Sequence, residues 1–125
     1  MAIAAAASAV CIASWTTAEA HHSGAMFDRS RQITVTGAVK DFSWTNPHSS
    51  FSVEVSKPDG SAELWAVEMN SPNNLVREGW TRTTLRPGDK VSAVINPLRD
   101  GKPGGLYVGV TLPTGKVLNA GAPPK

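Results

Sequence analysis

The residues best suited to chemistry in this chain are its three histidines, His21, His22 and His48. If a peptidase cleaves after Ala20, His21 becomes the first residue, and its free α-amine and imidazole Nδ1 can chelate one metal ion. His48 would add a third nitrogen, and a T-shaped site of three nitrogens suits Cu(II) best among the divalent ions. We therefore predict a copper site formed by His21 and His48, with His22 as an alternative ligand. The competing interpretation is that His48, which lies in a turn, only hydrogen-bonds the backbone.

A second group of residues is suited to an organic ligand. Trp44 and Trp65 have flat apolar faces on which a sugar or another planar group can stack. We predict that Asn46 and Glu68 bind the polar groups of the same ligand. Tryptophans more often pack in a core and its rim than bind a ligand. If the histidines bind no metal, the alternative function is an interaction module that presents its surface to a protein or glycan of the cell envelope.

Composition and motifs argue against several classes of protein. The chain has no G-x-S-x-G, H-E-x-x-H, G-x-G-x-x-G or P-loop pattern, so hydrolases, zinc proteases and nucleotide enzymes lack their minimal parts. We predict no catalytic residue, no enzyme activity and no cofactor other than copper. Twelve Lys and Arg against ten Asp and Glu give a formal charge of +2, which is too weak and too scattered for a nucleic-acid binder.

The first twenty residues have the pattern of an export signal. Residues 2–15 contain no charge, glycine or proline, and residues 18–20, Ala-Glu-Ala, have the small-x-small form of a signal-peptidase site. The apolar run is shorter than the roughly 20 residues that a membrane-spanning helix needs. We predict a signal peptide at residues 1–20, cleavage after Ala20, a periplasmic location and no stable membrane anchor afterwards. Cys11, the single cysteine, would leave with the signal peptide.

The rest of the chain reads as an all-β domain with one short helix. Alternating apolar residues and turn residues predict five strands, at residues 32–44, 51–55, 64–69, 91–95 and 106–112. Gly37 inside the first strand predicts a bulge or a tight bend. Five strands with a helix between the third and fourth are the order of a small OB-fold-like barrel, and a β-sandwich is the alternative. We predict an N-terminal arm at 21–31, the barrel at 32–118 and a disordered tail at 119–125.

The predicted helix lies at residues 71–79. Ser71 is a suitable N-cap, a proline follows at the first helical position, and Gly79 is suited to the left-handed residue that ends a helix. Leu75, Val76 and Trp80 are expected to seal one end of the sheet.

Chain length restricts how the histidines can meet. Residues 21–31 reach at most about 33–36 Å when extended, whereas residues 32–44 would be about 43 Å long as a straight strand. His21 and His48 can therefore share a metal ion only if the arm doubles back along a curled strand, or if two subunits share the site.

Several segments also carry a family resemblance: A-H-H-S at 20–23, W-T-N-P-H at 44–48, W-x-V-E-M at 65–69 and G-W-T-R at 79–82. They resemble a family of exported bacterial proteins classed as a domain of unknown function, number 6152. The W-T-N-P-H block is the most specific part. The resemblance implies an export signal and a small OB-like barrel, and it implies no established activity.

Overall fold

The computed structural model describes residues 24–123. The predicted signal peptide, His21 and His22 lie outside these residues. A short 3-10 turn at Gly24–Met26 precedes the main elements, which are β1 (Ile33–Ser43), β2 (Ser50–Ser56), β3 (Ala62–Glu68), α1 (Pro72–Arg77), β4 (Lys90–Pro97), β5 (Gly104–Thr111) and β6 (Val117–Asn119).

Five of the strands form one closed barrel. The sheet order is β3-β2-β1-β4-β5-β6, and an additional pairing joins β3 to β5. The closing pair is parallel and has three register partners, Ala66 with Gly104, Val67 with Gly105 and Glu68 with Leu106, whereas the other strand pairs are antiparallel. A single sheet that closes on itself confirms the predicted OB-fold-like barrel and excludes the sandwich alternative.

The long strand β1 curls because of an irregularity at Lys40. Its register with β2 shifts between Val39 and Asp41, so Lys40 is an inserted residue. The insertion changes which face each later residue occupies: Val39 points inward, and three positions later the half-buried Phe42 also packs against the core. The expected bulge therefore lies three residues beyond Gly37.

Gly37 has a different role from the predicted bulge. A side chain there would overlap the backbone carbonyl of Glu54, the residue that lies on the neighbouring strand β2. Glycine is therefore required for the close approach of two strands, which is the other common reason for glycine in a strand interior.

One hydrophobic core fills the barrel, and α1 contributes the buried Leu75 to it. The buried cluster combines valines from the strands with larger side chains, the fully buried ones being led in size by Trp80, Met69, Leu75 and Ile95. The Trp80 ring packs edge-on against the ring of Tyr107 at 5.4 Å and beside that of Phe51 at 6.2 Å. Such aromatic pairs add roughly 0.5–1.5 kcal/mol to the burial of their area.

The helix ends as predicted, and one of its predicted core residues is wrong. Gly79 has a φ of 96°, and the N–H groups of Gly79 and Trp80 donate to the carbonyls of Val76 and Leu75, which is the Schellman arrangement. Ser71 stands at the N-cap without a side-chain hydrogen bond. Leu75 and Trp80 are fully buried, but Val76 is 57% exposed. Successive helical residues point about 100° apart, so Val76 turns to solvent when Leu75 faces the barrel.

Backbone hydrogen bonding continues beyond residue 118, the predicted end of the barrel domain. β6 pairs with residues 109–111 of β5, beyond residues 104–106 that pair with β3. Its Leu118 is 2% exposed. Asn119, placed in the tail by the sequence, is the last residue of this strand, and the N–H of Ala120 donates to the carbonyl of Val108. The sequence missed β6 because it has only three residues and one buried side chain.

Candidate binding site

The arm turns back onto the barrel at Phe27. This residue forms an isolated antiparallel bridge with Leu98, directly after β4, and its side chain is 4% exposed. Three hydrogen bonds hold the neighbouring backbone: Asp28 N–H to Pro97 O at 2.8 Å, Arg99 N–H to Met26 O at 2.9 Å, and Arg99 Nε–H to Ala25 O at 3.0 Å. The arm is thereby fixed at the end of the barrel where β4 leads into β5.

A cavity of about 480 Å³ lies beside the docked arm. The arm contributes Gly24 and Phe27 to its wall, and the turn before β2 contributes His48. Glu68 at the end of β3 and Tyr107 in β5 stand on the barrel side. The cavity therefore brings together the start of the described chain, a histidine and the closing strands of the barrel.

The imidazole ring of His48 is held by the backbone carbonyl of Met69. Its ring is exposed, and Nδ1 lies 3.2 Å from the carbonyl oxygen of Met69. A carbonyl oxygen only accepts hydrogen bonds, so in this contact Nδ1 carries the proton. The other ring nitrogen, Nε2, then keeps a free lone pair. This is the arrangement usual for metal-ligating histidines, in which a backbone carbonyl fixes the tautomer and orients the ring.

The other sequence-predicted ligand residues are divided. Glu68 lines the same cavity as His48. Trp44, Asn46 and Trp65 do not line it: Trp44 packs edge-on against Phe42 with ring centroids 6.0 Å apart, Trp65 packs half-buried against the core, and Asn46 is exposed in the turn before His48. The structure therefore places the predicted metal ligand His48 and Glu68 on the wall of one cavity, which neither tryptophan lines.

Two wall residues carry chemistry that the sequence analysis missed. Glu78, directly after α1, is 8% exposed, and its Oε1 has no hydrogen-bond partner. Burial raises the pKa of Glu78, while the backbone N–H of Gly121 opposes the shift. Tyr107 is 5% exposed, its oxygen accepts the indole N–H of Trp80 at 3.2 Å, and burial raises its pKa well above the ordinary value.

No sequence signal singled out Glu78. It follows a helix end, where a glutamate is normally solvated. In the fold, the backbone N–H of Gly121 donates to Glu78, and both residues line the cavity.

Within residues 24–123, no three His, Cys, Asp or Glu side chains are grouped closely enough to hold a metal ion. His21 and His22, the other two predicted metal ligands, lie outside that range.

Fold and cavity together define a small closed β-barrel of the OB-like class with a cavity beside its N-terminal arm. The chain belongs to a family of unknown function, DUF6152, which it matches over residues 8–108. No significant match to the chain is found among curated proteins or among solved structures. Within residues 24–123, no helix combines the length and the apolar character that crossing a membrane requires.

Proposed function

We propose that this protein is an exported, periplasmic copper-binding protein in which Cu(II) is held by the α-amine and imidazole of His21 together with the imidazole of His48. His22 is the alternative ligand. The observation that carries the proposal is that Gly24 and His48 line the same cavity.

The course of the arm supports assembly of the site within one chain. His21 stands three residues before Gly24, and three extended residues reach about 10 Å. The arm has already doubled back at the Phe27–Leu98 bridge. A second subunit is therefore not needed to bring the first residues of the mature chain to His48.

The chemistry of His48 also supports the proposal. The Met69 carbonyl accepts from Nδ1 and so leaves Nε2 as the ligand atom. Glu68 beside it lowers the cost of placing a divalent cation in the cavity. The uncharged apolar segment at residues 2–15 and the cleavage pattern at Ala20 support export, which would create the free amine at His21.

The test begins with the N-terminus and continues with copper. Intact mass and N-terminal sequencing of the protein purified after export should show that it starts at His21. Cu(II) titration against a competing chelator should then give one copper per chain. His48→Ala should lower the affinity at least about tenfold, since it removes a ligand and outer-shell changes alone cost 10–100-fold. His22→Ala is the matched control and should leave most of the affinity intact.

Affinity should also fall with pH. The α-amine (reference pKa about 7.7–8.0) and imidazole (about 6.5) must be deprotonated to bind. A chain that starts at another residue, or copper affinity that stays constant from about pH 8 to about pH 5, contradicts the proposed site.

A further inference from the structure

We propose that the carboxylate of Glu68 is the fourth ligand of the copper ion and that it makes the site select Cu(II) over Cu(I). The inference rests on the proposed copper site. It adds to that site the residue that determines which oxidation state is bound.

The three proposed nitrogen ligands leave one position of the copper ion open. Cu(II) prefers square-planar or tetragonal arrangements of nitrogen and oxygen ligands, and a T-shaped set of three nitrogens leaves one corner of the square free. The α-amine and the imidazoles bind in their neutral forms, so none of them offsets the positive charge of the ion. The open position therefore favours an anionic oxygen ligand.

The first structural argument is the direction of the Glu68 side chain. Val67 and Met69, the residues on either side of it, are each 1% exposed and belong to the core. Side chains alternate between the two faces of an extended chain, so Glu68 is directed away from the core. His48 is exposed as well. Both side chains therefore lie on the outer side of the barrel, where a metal ion can approach them.

The second argument is the short separation of the His48 ring from Glu68. Nδ1 of His48 lies 3.2 Å from the carbonyl oxygen of Met69, the residue next to Glu68. Glu68 pairs with Ser50 in the β2–β3 ladder, two residues beyond His48. His48, Glu68 and Phe27 line both the cavity of about 480 Å³ and a second one of about 300 Å³. The imidazole and the carboxylate are therefore neighbours on the boundary that the two cavities share.

The third argument is that the Glu68 carboxylate is available. Within residues 24–123, the Glu68 side chain forms neither a hydrogen bond nor an ion pair, although Arg29 lines the same cavity. The other carboxylate of that cavity belongs to Glu78, which is 8% exposed and has a fully buried Oε1. Glu68 is only partly buried. Of these two carboxylates, Glu68 is therefore the one that an ion beside His48 can contact.

An anionic oxygen ligand affects the two oxidation states of copper unequally. Carboxylate oxygens are hard ligands, whereas Cu(I) is selected by soft thiolate and thioether ligands. A negative charge also attracts a doubly charged ion more strongly than a singly charged one at the same distance. Glu68 should therefore contribute more to the affinity for Cu(II) than to the affinity for Cu(I).

The test compares the wild-type protein with Glu68→Gln and Glu78→Gln. Glu78→Gln is the matched control, because it removes a carboxylate from the same cavity. Cu(II) affinity is measured in air against a competing chelator, and Cu(I) affinity is measured without oxygen against a Cu(I)-specific chelator. Thermal unfolding checks that both variants remain folded.

Glu68→Gln should lower the Cu(II) affinity at least about tenfold, since even changes outside the ligand shell cost 10–100-fold. It should lower the Cu(I) affinity less than about threefold, because a carboxylate is a poor ligand for Cu(I). Glu78→Gln should change both affinities less than about threefold, because a charge that does not ligate acts only through space and is screened.

Azide distinguishes a ligand from a charge that acts through space. It binds Cu(II) at a free coordination position and gives a charge-transfer absorption band. In the wild-type protein azide has to displace the Glu68 carboxylate, so Glu68→Gln should bind azide more tightly. Glu78→Gln should bind azide as the wild type does.

The outcomes separate the two proposals. If copper binding by the wild-type protein does not depend on His48, the proposed function and this inference fail together. If it depends on His48 while Glu68→Gln and Glu78→Gln bind Cu(II) equally well, only the assignment of Glu68 is overturned. Equal azide affinity in the wild type and Glu68→Gln would overturn it as well.

Discussion

Replacing Phe27 with alanine tests whether the docked arm is what brings the copper ligands together. The Phe27 side chain is 4% exposed, yet it lies outside the buried cluster that forms the barrel core. The substitution therefore leaves that core intact and removes the main apolar contact of the arm. The three hydrogen bonds of the adjacent arm backbone remain available.

The size of the effect follows from the area that Phe27 buries. Burying a phenylalanine side chain contributes about 1.5–3 kcal/mol. In Phe27→Ala, copper binding has to restore the docked arm without this contribution. Each 1.4 kcal/mol is a factor of ten, so the copper affinity should fall about 10- to 100-fold. Phe27→Leu keeps most of the apolar contact and should lose much less.

The assay is a Cu(II) titration with a competing chelator near pH 7.5 on the wild-type protein and both variants. Thermal unfolding of the same samples checks that the barrel remains folded. If Phe27→Ala binds copper as tightly as the wild type while His48→Ala does not, docking of the arm is not what brings the ligands together, and the reasoning is refuted.

Four further substitutions test the fold. Gly37→Ala should destabilise the protein by about 1–3 kcal/mol in urea, because its Cβ would overlap the Glu54 carbonyl; an unchanged midpoint would contradict that close approach. Leu75→Ala should cost about 2–5 kcal/mol and its neighbour Val76→Ala under about 0.5 kcal/mol, so equal losses would place the helix in another orientation. Glu78→Gln should stabilise the protein near pH 7, because it removes a charge from a buried side chain. The raised pKa of Glu78 means that the folded protein binds this proton more tightly than the unfolded chain does, so stability declines as pH rises through that pKa and the gain should vanish below about pH 4. A gain that is the same at both pH values would show that the carboxylate charge is not the cause.

The succession of β1 to β5 and the helix along the chain could be predicted from the sequence because its signals are local. Alternating side chains mark each strand, and turn segments such as residues 58–60 and 86–88 separate them. Gly79 was predicted to end α1, and its positive φ confirms that prediction. The inserted residue Lys40 was missed because one extra residue changes the alternation without adding a glycine or proline.

The residues that line the cavity could be predicted only in part. His48 and Glu68 were singled out by residue type, and both line it. Glu78 and Tyr107 were missed, since Glu78 follows a helix end and Tyr107 was only one member of the predicted strand at 106–112. Arithmetic on chain length left two ways for His21 to meet His48, and the described part of the arm contacts its own barrel at Leu98.

The short parallel pairing between β3 and β5 gives the cavity a mechanical property. The barrel closes there through three register pairs, fewer than at any other join between barrel strands. Glu68 lies on one side of this seam and Tyr107 on the other, so separating the strands would divide the cavity wall. A compound that contacts both sides would stabilise the β3–β5 pairing, because a ligand stabilises the state that binds it. Amide hydrogen exchange at Val67 and Gly105 would then slow on binding, and the strand join itself would report whether the cavity is filled.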